Sequence, residues 1–314
     1  MLQPADTPYC TSMKSGIRPT DNMQGVIIKA VSSFYYVDTC ENIIECKARG
    51  NFRKAGISPV VGDRVNITLS DSLHGVIESI KERKNCLSRP LIANIDKLFI
   101  VSAYSVPKPD TLMIDRIAAI SEYNKIEPVI VFNKSDMGDF EKLYTVYRNA
   151  GFETYVVSAK TGEGIESIKK SAKGKICAFA GNSGVGKSSI LNCVFGDLSL
   201  KTNEVSEKLG RGRHTTRHTQ LFKQKDGGYI ADTPGFSSLD TSCYNYDFKE
   251  KLPYCFRDFE EFLNGCKFTT CSHTKESGCK ILEAVNSGKI EKTRFESYVA
   301  LVNELKESTA WGNK

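Results

Sequence analysis

The stretch Gly181-Asn182-Ser183-Gly184-Val185-Gly186-Lys187-Ser188-Ser189 has the make-up of a loop that holds phosphate. Its glycines let the backbone curl until N–H groups point at phosphate oxygens. The apolar run Ile176-Cys177-Ala178-Phe179-Ala180 before it reads as a strand. A helix opening near Lys187 adds the positive end of its dipole. In that setting Lys187 reaches the terminal phosphates and Ser188 ligates Mg²⁺. The bland alternative, a Gly/Ser turn before a helix, is disfavoured by the strand that leads into the loop.

A second constellation reads a base. Asn133-Lys134-Ser135-Asp136 follows the apolar run Pro128–Phe132. A carboxylate there can accept both donors on the pairing edge of guanine, the ring N–H and the exocyclic amine. Adenine has no such pair, and a site built for these donors rejects an analogue that lacks them. Lys134 can lay its methylene stem along the base. Alone, N-x-x-D is a common turn or helix-start signal. Ser158-Ala159-Lys160 follows the next apolar run, Tyr155-Val156-Val157, and the Ala159 N–H can bind the guanine oxygen. Together the motifs make a binding site for GTP or GDP.

Two further segments respond to the γ-phosphate. Asp232-Thr233-Pro234-Gly235 ends the run Gly228–Ala231. Asp232 would hold Mg²⁺ through water, and the Gly235 N–H would sense the γ-phosphate. Between this segment and the phosphate loop lies Gly210-Arg211-Gly212-Arg213-His214-Thr215-Thr216-Arg217-His218. Thr216, with Thr215 beside it, can complete the Mg²⁺ shell. The residue after Gly235 is Phe236, where Ras-like enzymes carry a water-orienting glutamine. Phe236 cannot hydrogen-bond water, so His214 is the candidate to do so. The alternative is that His214 or His218 contacts phosphate or RNA.

Cys266, Cys271, His273 and Cys279 form C-x₄-C-x-H-x₅-C. Three thiolates and an imidazole make a closed tetrahedral Zn²⁺ site, which is structural because no position is left for water. Gly265 and Gly278 supply turns beside the outer ligands, and Cys255 could replace one of the four.

The elements that position these groups fall into segments. Residues 1–22 lack the apolar stretch of a signal peptide and read as a flexible leader. In residues 23–89, Gly25–Lys29, Phe34–Val37, Ile43–Cys46, Arg64–Leu69 and Gly75–Ile80 read as five short strands, for which an OB-fold barrel is the best fit. The run Lys81-Glu82-Arg83-Lys84 after them reads as a solvated linker. Residues 90–242 alternate apolar strands with helices, beginning with Leu98–Val101 and a helical pattern over Thr111–Tyr123, which implies a mostly parallel sheet covered on both faces. Residues 243–314 hold the Cys/His cluster and helical patterns around Lys280–Asn286 and Lys289–Leu305. The fold class expected is α/β: a P-loop GTPase domain with an OB-fold β-barrel before it and a zinc-binding, mainly helical domain after it.

The guanine motif precedes the phosphate loop, whereas ordinary GTPases have the reverse order, so the domain reads as circularly permuted. A net charge of +6 in 314 residues only permits a polyanionic partner. Eleven scattered cysteines, an odd number, fit a reducing compartment better than a disulfide framework. No run approaches the length of a membrane span.

The order NKSD, SAK, GNSGVGKSS, GRHTTRH, DTPGF and C-x₄-C-x-H-x₅-C, preceded by a small barrel, resembles the RsgA/YjeQ family of small-subunit-dependent GTPases. The resemblance covers the chain from about residue 23 onward. It implies a cytoplasmic, monomeric GTPase with no membrane partner that binds the small (30S) ribosomal subunit through 16S rRNA late in its assembly. The subunit stimulates hydrolysis, and hydrolysis accompanies release. It also implies that the barrel and the zinc domain contact rRNA. Two rivals are a GTP-holding RNA scaffold with little turnover, which Phe236 keeps open, and a permuted GTPase for the large subunit or another RNA.

Overall fold

Alternation of inward apolar and outward polar residues builds the first part of the chain, as a two-residue side-chain period requires. The computed structural model describes residues 22–54, 56–104, 109–195, 219–232 and 246–311. Its first strands are β1 (Asn22–Val31), β2 (Phe34–Asp38), β3 (Ile43–Ala48), β4 (Arg64–Leu69) and β5 (His74–Ile80). They join in the order β1-β2-β3-β5-β4, and β4 pairs back onto β1, with Gly25 opposite Val65. This closes the five-stranded OB-type barrel expected from the sequence. Ile27, Val37, Ile44, Cys46, Val65, Ile67 and Ile77 are buried in it. Gly62 turns the chain at φ +90°, where a Cβ would lie 2.0 Å from the Ala93 carbonyl oxygen.

The basic run after the barrel is not simply a solvated linker. Arg83 Nε and Nη2 donate to the two oxygens of the fully buried Asp63 at 2.7 and 2.8 Å, and Nη2 also donates to the Ser58 carbonyl at 2.7 Å. The charge run conceals this role because Asp63 lies twenty positions away. The short strands β6 (Cys86–Ser88) and β7 (Leu91–Ala93) then form a hairpin that the sequence pattern does not announce.

The remaining strands are β8 (Lys97–Ala103), β9 (Glu127–Asn133), β10 (Glu153–Val156), β11 (Ile176–Ala180), β12 (Gln220–Lys223) and β13 (Tyr229–Asp232). All but β12 match runs expected from the sequence. Two compact units result. The first contains the barrel together with residues 169–178 and the β12–β13 hairpin. There β12 pairs with β1 at Lys29 and Gln220, and β13 runs parallel to the start of β11, with Ile176 opposite Tyr229.

The second unit contains the guanine-motif loops, the phosphate loop and the C-terminal segment. Its strands β8 and β9 are largely apolar because both faces are covered: Leu98–Val101 and Val129–Phe132 are buried throughout. β9 and β10 are parallel. The helix Thr111–Tyr123 opens on Asp110, whose carboxylate accepts from the Met113 N–H at 3.1 Å. It packs against the terminal helix Lys292–Trp311.

That contact encloses a charge. Arg294, 2% exposed, bonds Asp115 of the helix Thr111–Tyr123 and Asp258 of the short helix Arg257–Phe262. The rings of Phe256, Phe152 and Tyr147 lie 4.7, 5.1 and 5.8 Å from its guanidinium carbon. Burial opposes the charge, but the two carboxylates outweigh it and hold Arg294 above the ordinary arginine value. Arg257 forms a second link, to Glu122, to Glu127 at 3.0 Å and to the Gly151 carbonyl at 2.9 Å. Removing one member of a buried pair costs about 3–5 kcal/mol. Arg294→Met should lower the unfolding free energy by that amount in denaturant titrations, whereas Arg116→Met, which breaks the more exposed link to Glu304, should cost about 1 kcal/mol or less.

Candidate nucleotide site and metal centre

β9 delivers the NKSD residues to its C-terminal end, and the Asn133 side chain there joins three loops. Its Nδ2 donates to the Val185 carbonyl of the phosphate loop at 2.8 Å. Its Oδ1 accepts from the Ala159 N–H at 3.1 Å. Lys134, in the left-handed region at φ 66°, donates from Nζ to the Gly184 carbonyl at 2.9 Å. The lysine therefore also ties the base-reading loop to the phosphate loop, beyond the stacking expected of its stem.

Asp136 is placed by the loop after β10. The Ser158 hydroxyl donates to its Oδ1 at 2.7 Å, and Lys160 Nζ lies 3.7 Å from Oδ2. The serine hydrogen bond, with the lysine charge behind it, holds the Asp136 carboxyl below the usual carboxylate value. Ser135 Oγ lies 3.4 Å from a carboxylate oxygen of Glu163. Cys193, on the helix after the phosphate loop, contacts the Ala159 carbonyl at 3.2 Å through Sγ. The motif patterns contain no signal for that contact, because 34 positions separate the two residues.

The phosphate loop takes the conformations its glycines allow. Gly181, Gly184 and Gly186 have φ of +133°, +79° and +93°. A Cβ on Gly181 would lie 2.1 Å from the Val101 carbonyl oxygen, and one on Gly186 would lie 2.2 Å from Asn133 Nδ2. Close approach as well as torsion therefore demands glycine at both. The helix Lys187–Phe195 begins at the lysine, with Ser188 and Ser189 in its first turn and Asn182 and Ser183 in the loop before it. Lys187 Nζ folds back to donate to the Gly181 and Asn182 carbonyls at 2.7 and 2.8 Å, and burial lowers its pKa. Asp232 closes β13 as expected. His214, Thr215, Thr216, Gly235 and Phe236 lie outside the described residues.

The thiol and imidazole cluster assembles from one loop and the start of a helix. The ligand atoms of Cys266, Cys271, His273 and Cys279 lie within 4.8 Å of one another. His273 Nδ1 is 3.5 Å from the sulfurs of both Cys266 and Cys279. Zn–S and Zn–N bonds at tetrahedral angles imply about that separation. The donor set therefore fits zinc, with Nδ1 as the imidazole ligand. Cys255 is not among the four, and its thiol donates to the Lys251 carbonyl at 3.4 Å. Glu276 knits the loop by accepting from the N–H groups of Ser272, Thr274 and Lys275 at 3.1, 3.0 and 3.0 Å. Burial opposes its charge, but these bonds and the Ser272 hydroxyl lower its pKa to about 2.

The RsgA GTPase domain profile matches residues 80–242, and the RsgA N-terminal domain profile matches residues 24–77. The chain belongs to the RsgA family. The small ribosomal subunit biogenesis GTPase RsgA of Caldanaerobacter subterraneus subsp. tengcongensis is 46% identical over 290 residues, covering 91% of this chain and 97% of the relative. Its counterpart in Clostridium kluyveri is 42% identical over 286 residues, covering 90% and 98%. Among solved structures, YjeQ from Thermotoga maritima superposes with a TM-score of 0.77 at 37% identity, covering 90% of this chain and 98% of that one. YloQ, a circularly permuted GTPase, gives 0.77 at 34% identity, with 94% and 98% covered. RsgA membership bears out the permuted GTPase fold and makes GTP or GDP with Mg²⁺ the ligands of the family's site.

Two outcomes test the geometry. A carboxyl held low stays ionised as pH falls, so affinity for labelled GDP should remain flat through the ordinary carboxylate range and drop only below it. In Ser158→Ala the decline should begin at higher pH. For the cluster, Cys271→Ser should reduce metal content from one zinc per chain towards zero by elemental analysis, and should lower the melting temperature.

Proposed function

We propose that this chain binds the small ribosomal subunit in the cytoplasm as a monomer, through 16S rRNA, late in subunit maturation. There it hydrolyses GTP, and hydrolysis accompanies its release. The observation that supports this reading best is the Asn133 carboxamide, which joins the base-reading and phosphate-binding loops into one guanine nucleotide site. That its relatives are small ribosomal subunit biogenesis GTPases supports the choice of subunit.

In this reading Asp136 accepts the two guanine donors, the Ala159 N–H, which donates to Asn133 Oδ1, is shared with the guanine oxygen, and the N–H groups of residues 181–189 cradle the phosphates. Lys187 neutralises the terminal phosphates and Gly235 senses the γ-phosphate through its amide. Ser188, Thr216 and, through water, Asp232 would hold Mg²⁺, which would supply neutralisation of the phosphate charge. His214 orients the attacking water in place of the missing glutamine. The water oxygen bonds to the γ-phosphorus as the bridging oxygen leaves with GDP, and a proton passes to phosphate. Cys266, Cys271, His273 and Cys279 would hold Zn²⁺, which would staple the loop over residues 263–279 and take no part in the chemistry. The segment around that loop, contrary to the sequence expectation, has an apolar core of its own, with Leu252, Phe256, Phe259, Ile281, Tyr298 and Leu301 buried. The barrel and the zinc segment are the RNA-contacting parts.

The direct experiment is GTP turnover by the purified chain with and without isolated small subunits, with large subunits and ATP as controls. Stimulation of tenfold or more by small subunits alone is expected. Equal stimulation by large subunits, or bound GTP with no stimulated turnover, refutes the assignment.

A further inference from the structure

The C-terminal segment holds an open groove of about 710 Å³ that shares no residue with the guanine site. Its lining comes from three places: the Cys/His loop, the helix Tyr246–Lys251 with the turn Leu252–Cys255 after it, and the terminal helix Lys292–Trp311. The buried Tyr298 and Val302 of the terminal helix lie beneath it. The Tyr298 hydroxyl donates to the Ser272 carbonyl at 2.9 Å and so fastens the loop to that helix.

Two large rings on this groove stand in water, Tyr254 at 73% and Phe268 at 49% exposure. The rings of Phe256, Phe259 and Tyr298 in the same segment are buried, so exposure is particular to the groove. A ring left in water forgoes the gain of burial until a ligand covers it. Lys249 and Lys306 also line the groove, and Lys267 Nζ lies 5.5 Å from the centre of the Phe268 ring. Against these three cations the lining contains one acid, Glu250. Asn264, Thr269 and Thr270 add exposed amide and hydroxyl groups.

A ligand that answers all three features is flat and aromatic, has hydrogen-bonding edges and is anionic. An unpaired RNA nucleotide combines them: a base face for a ring, a base edge for amide and hydroxyl groups, and a phosphate for lysine. Duplex RNA answers only the lysines, because its base faces are stacked on one another. We propose that this groove is a binding site for unpaired RNA nucleotides, with Tyr254 and Phe268 as stacking surfaces and Lys249 and Lys306 facing the phosphates. The inference rests on the reading of the zinc segment as an RNA-contacting part, and narrows that contact to the capture of exposed bases.

The test uses the full chain with a thiouridine-labelled single-stranded oligoribonucleotide, and the same strand in a duplex for comparison. Irradiation should link the single strand to Tyr254 or Phe268, as mapped by mass spectrometry. Loss of one stacking ring costs about tenfold in affinity. Tyr254→Ala and Phe268→Ala should each weaken single-strand binding by about that factor, whereas Tyr254→Phe keeps the ring and should bind like the parent chain. Duplex affinity, GDP affinity and melting temperature should stay unchanged in all three. Cross-links that avoid the groove, or equal weakening toward duplex, overturn the inference. Unchanged single-strand affinity in both alanine variants overturns it too, and loss of small-subunit stimulation in those variants would then make the partner a protein. A parent chain that ignores small subunits yet cross-links at Tyr254 loses the ribosomal reading and keeps the RNA groove.

Discussion

The Asn133 carboxamide donates to the Val185 carbonyl and accepts from the Ala159 N–H, and this pair of bonds ties the end of β9 to two loops that arrive from other strands. An amide suits this place because it offers a donor and an acceptor on one planar group, so both loop ends are satisfied without a charge. Gly186 then has to be glycine, since any Cβ would displace the same amide. The base-reading residues and the phosphate loop are thus held at a fixed separation before any nucleotide arrives. A site prepared in this way binds with less ordering cost than one assembled by the ligand.

The second unit carries two different kinds of reinforcement. At the phosphate loop the bonds run to backbone carbonyls, from Lys187 within the loop and from Asn133 and Lys134 across it. Farther along, the C-terminal segment is bound through buried charge. Arg294 and Arg257 reach Asp115, Glu122 and Glu127 and stack near Phe152. A planar guanidinium suits both demands, because it can bond carboxylates along its edge and lie against rings with its face. The Cys/His loop has little apolar area, and its order comes from ligand convergence and from the Glu276 bonds to three N–H groups.

The circular permutation gives each appended part a different place to attach. The barrel precedes the guanine motifs in sequence, yet it packs with the β12–β13 hairpin that follows the phosphate loop. The C-terminal segment packs with the helix Thr111–Tyr123 and the elements around it. Both attachments depend on side chains whose sequence neighbours hold no hint of the partner.

Much of the site was legible because its chemistry is local. Phosphate binding needs glycines, a lysine and a hydroxyl within a few residues of one another, and zinc needs four ligands close along the chain, so 181–189 and 266–279 declare themselves. The continuous apolar strands and the alternating barrel strands do so for the same reason: their periods are set by the backbone. β12 escaped because Gln220-Leu221-Phe222-Lys223 has only two apolar residues between polar ends, although Asp226-Gly227-Gly228 before the apolar Tyr229-Ile230-Ala231 is a recognisable hairpin turn. What tertiary structure alone decided are the ties between distant positions. Asn133 and Val185 stand 52 residues apart, Arg294 and Asp115 179, and Asp38 and Tyr229 191. A lone asparagine, arginine or aspartate has no local pattern to announce its partner. Packing chooses that partner when it takes the polar group out of water and leaves one neighbour able to satisfy it.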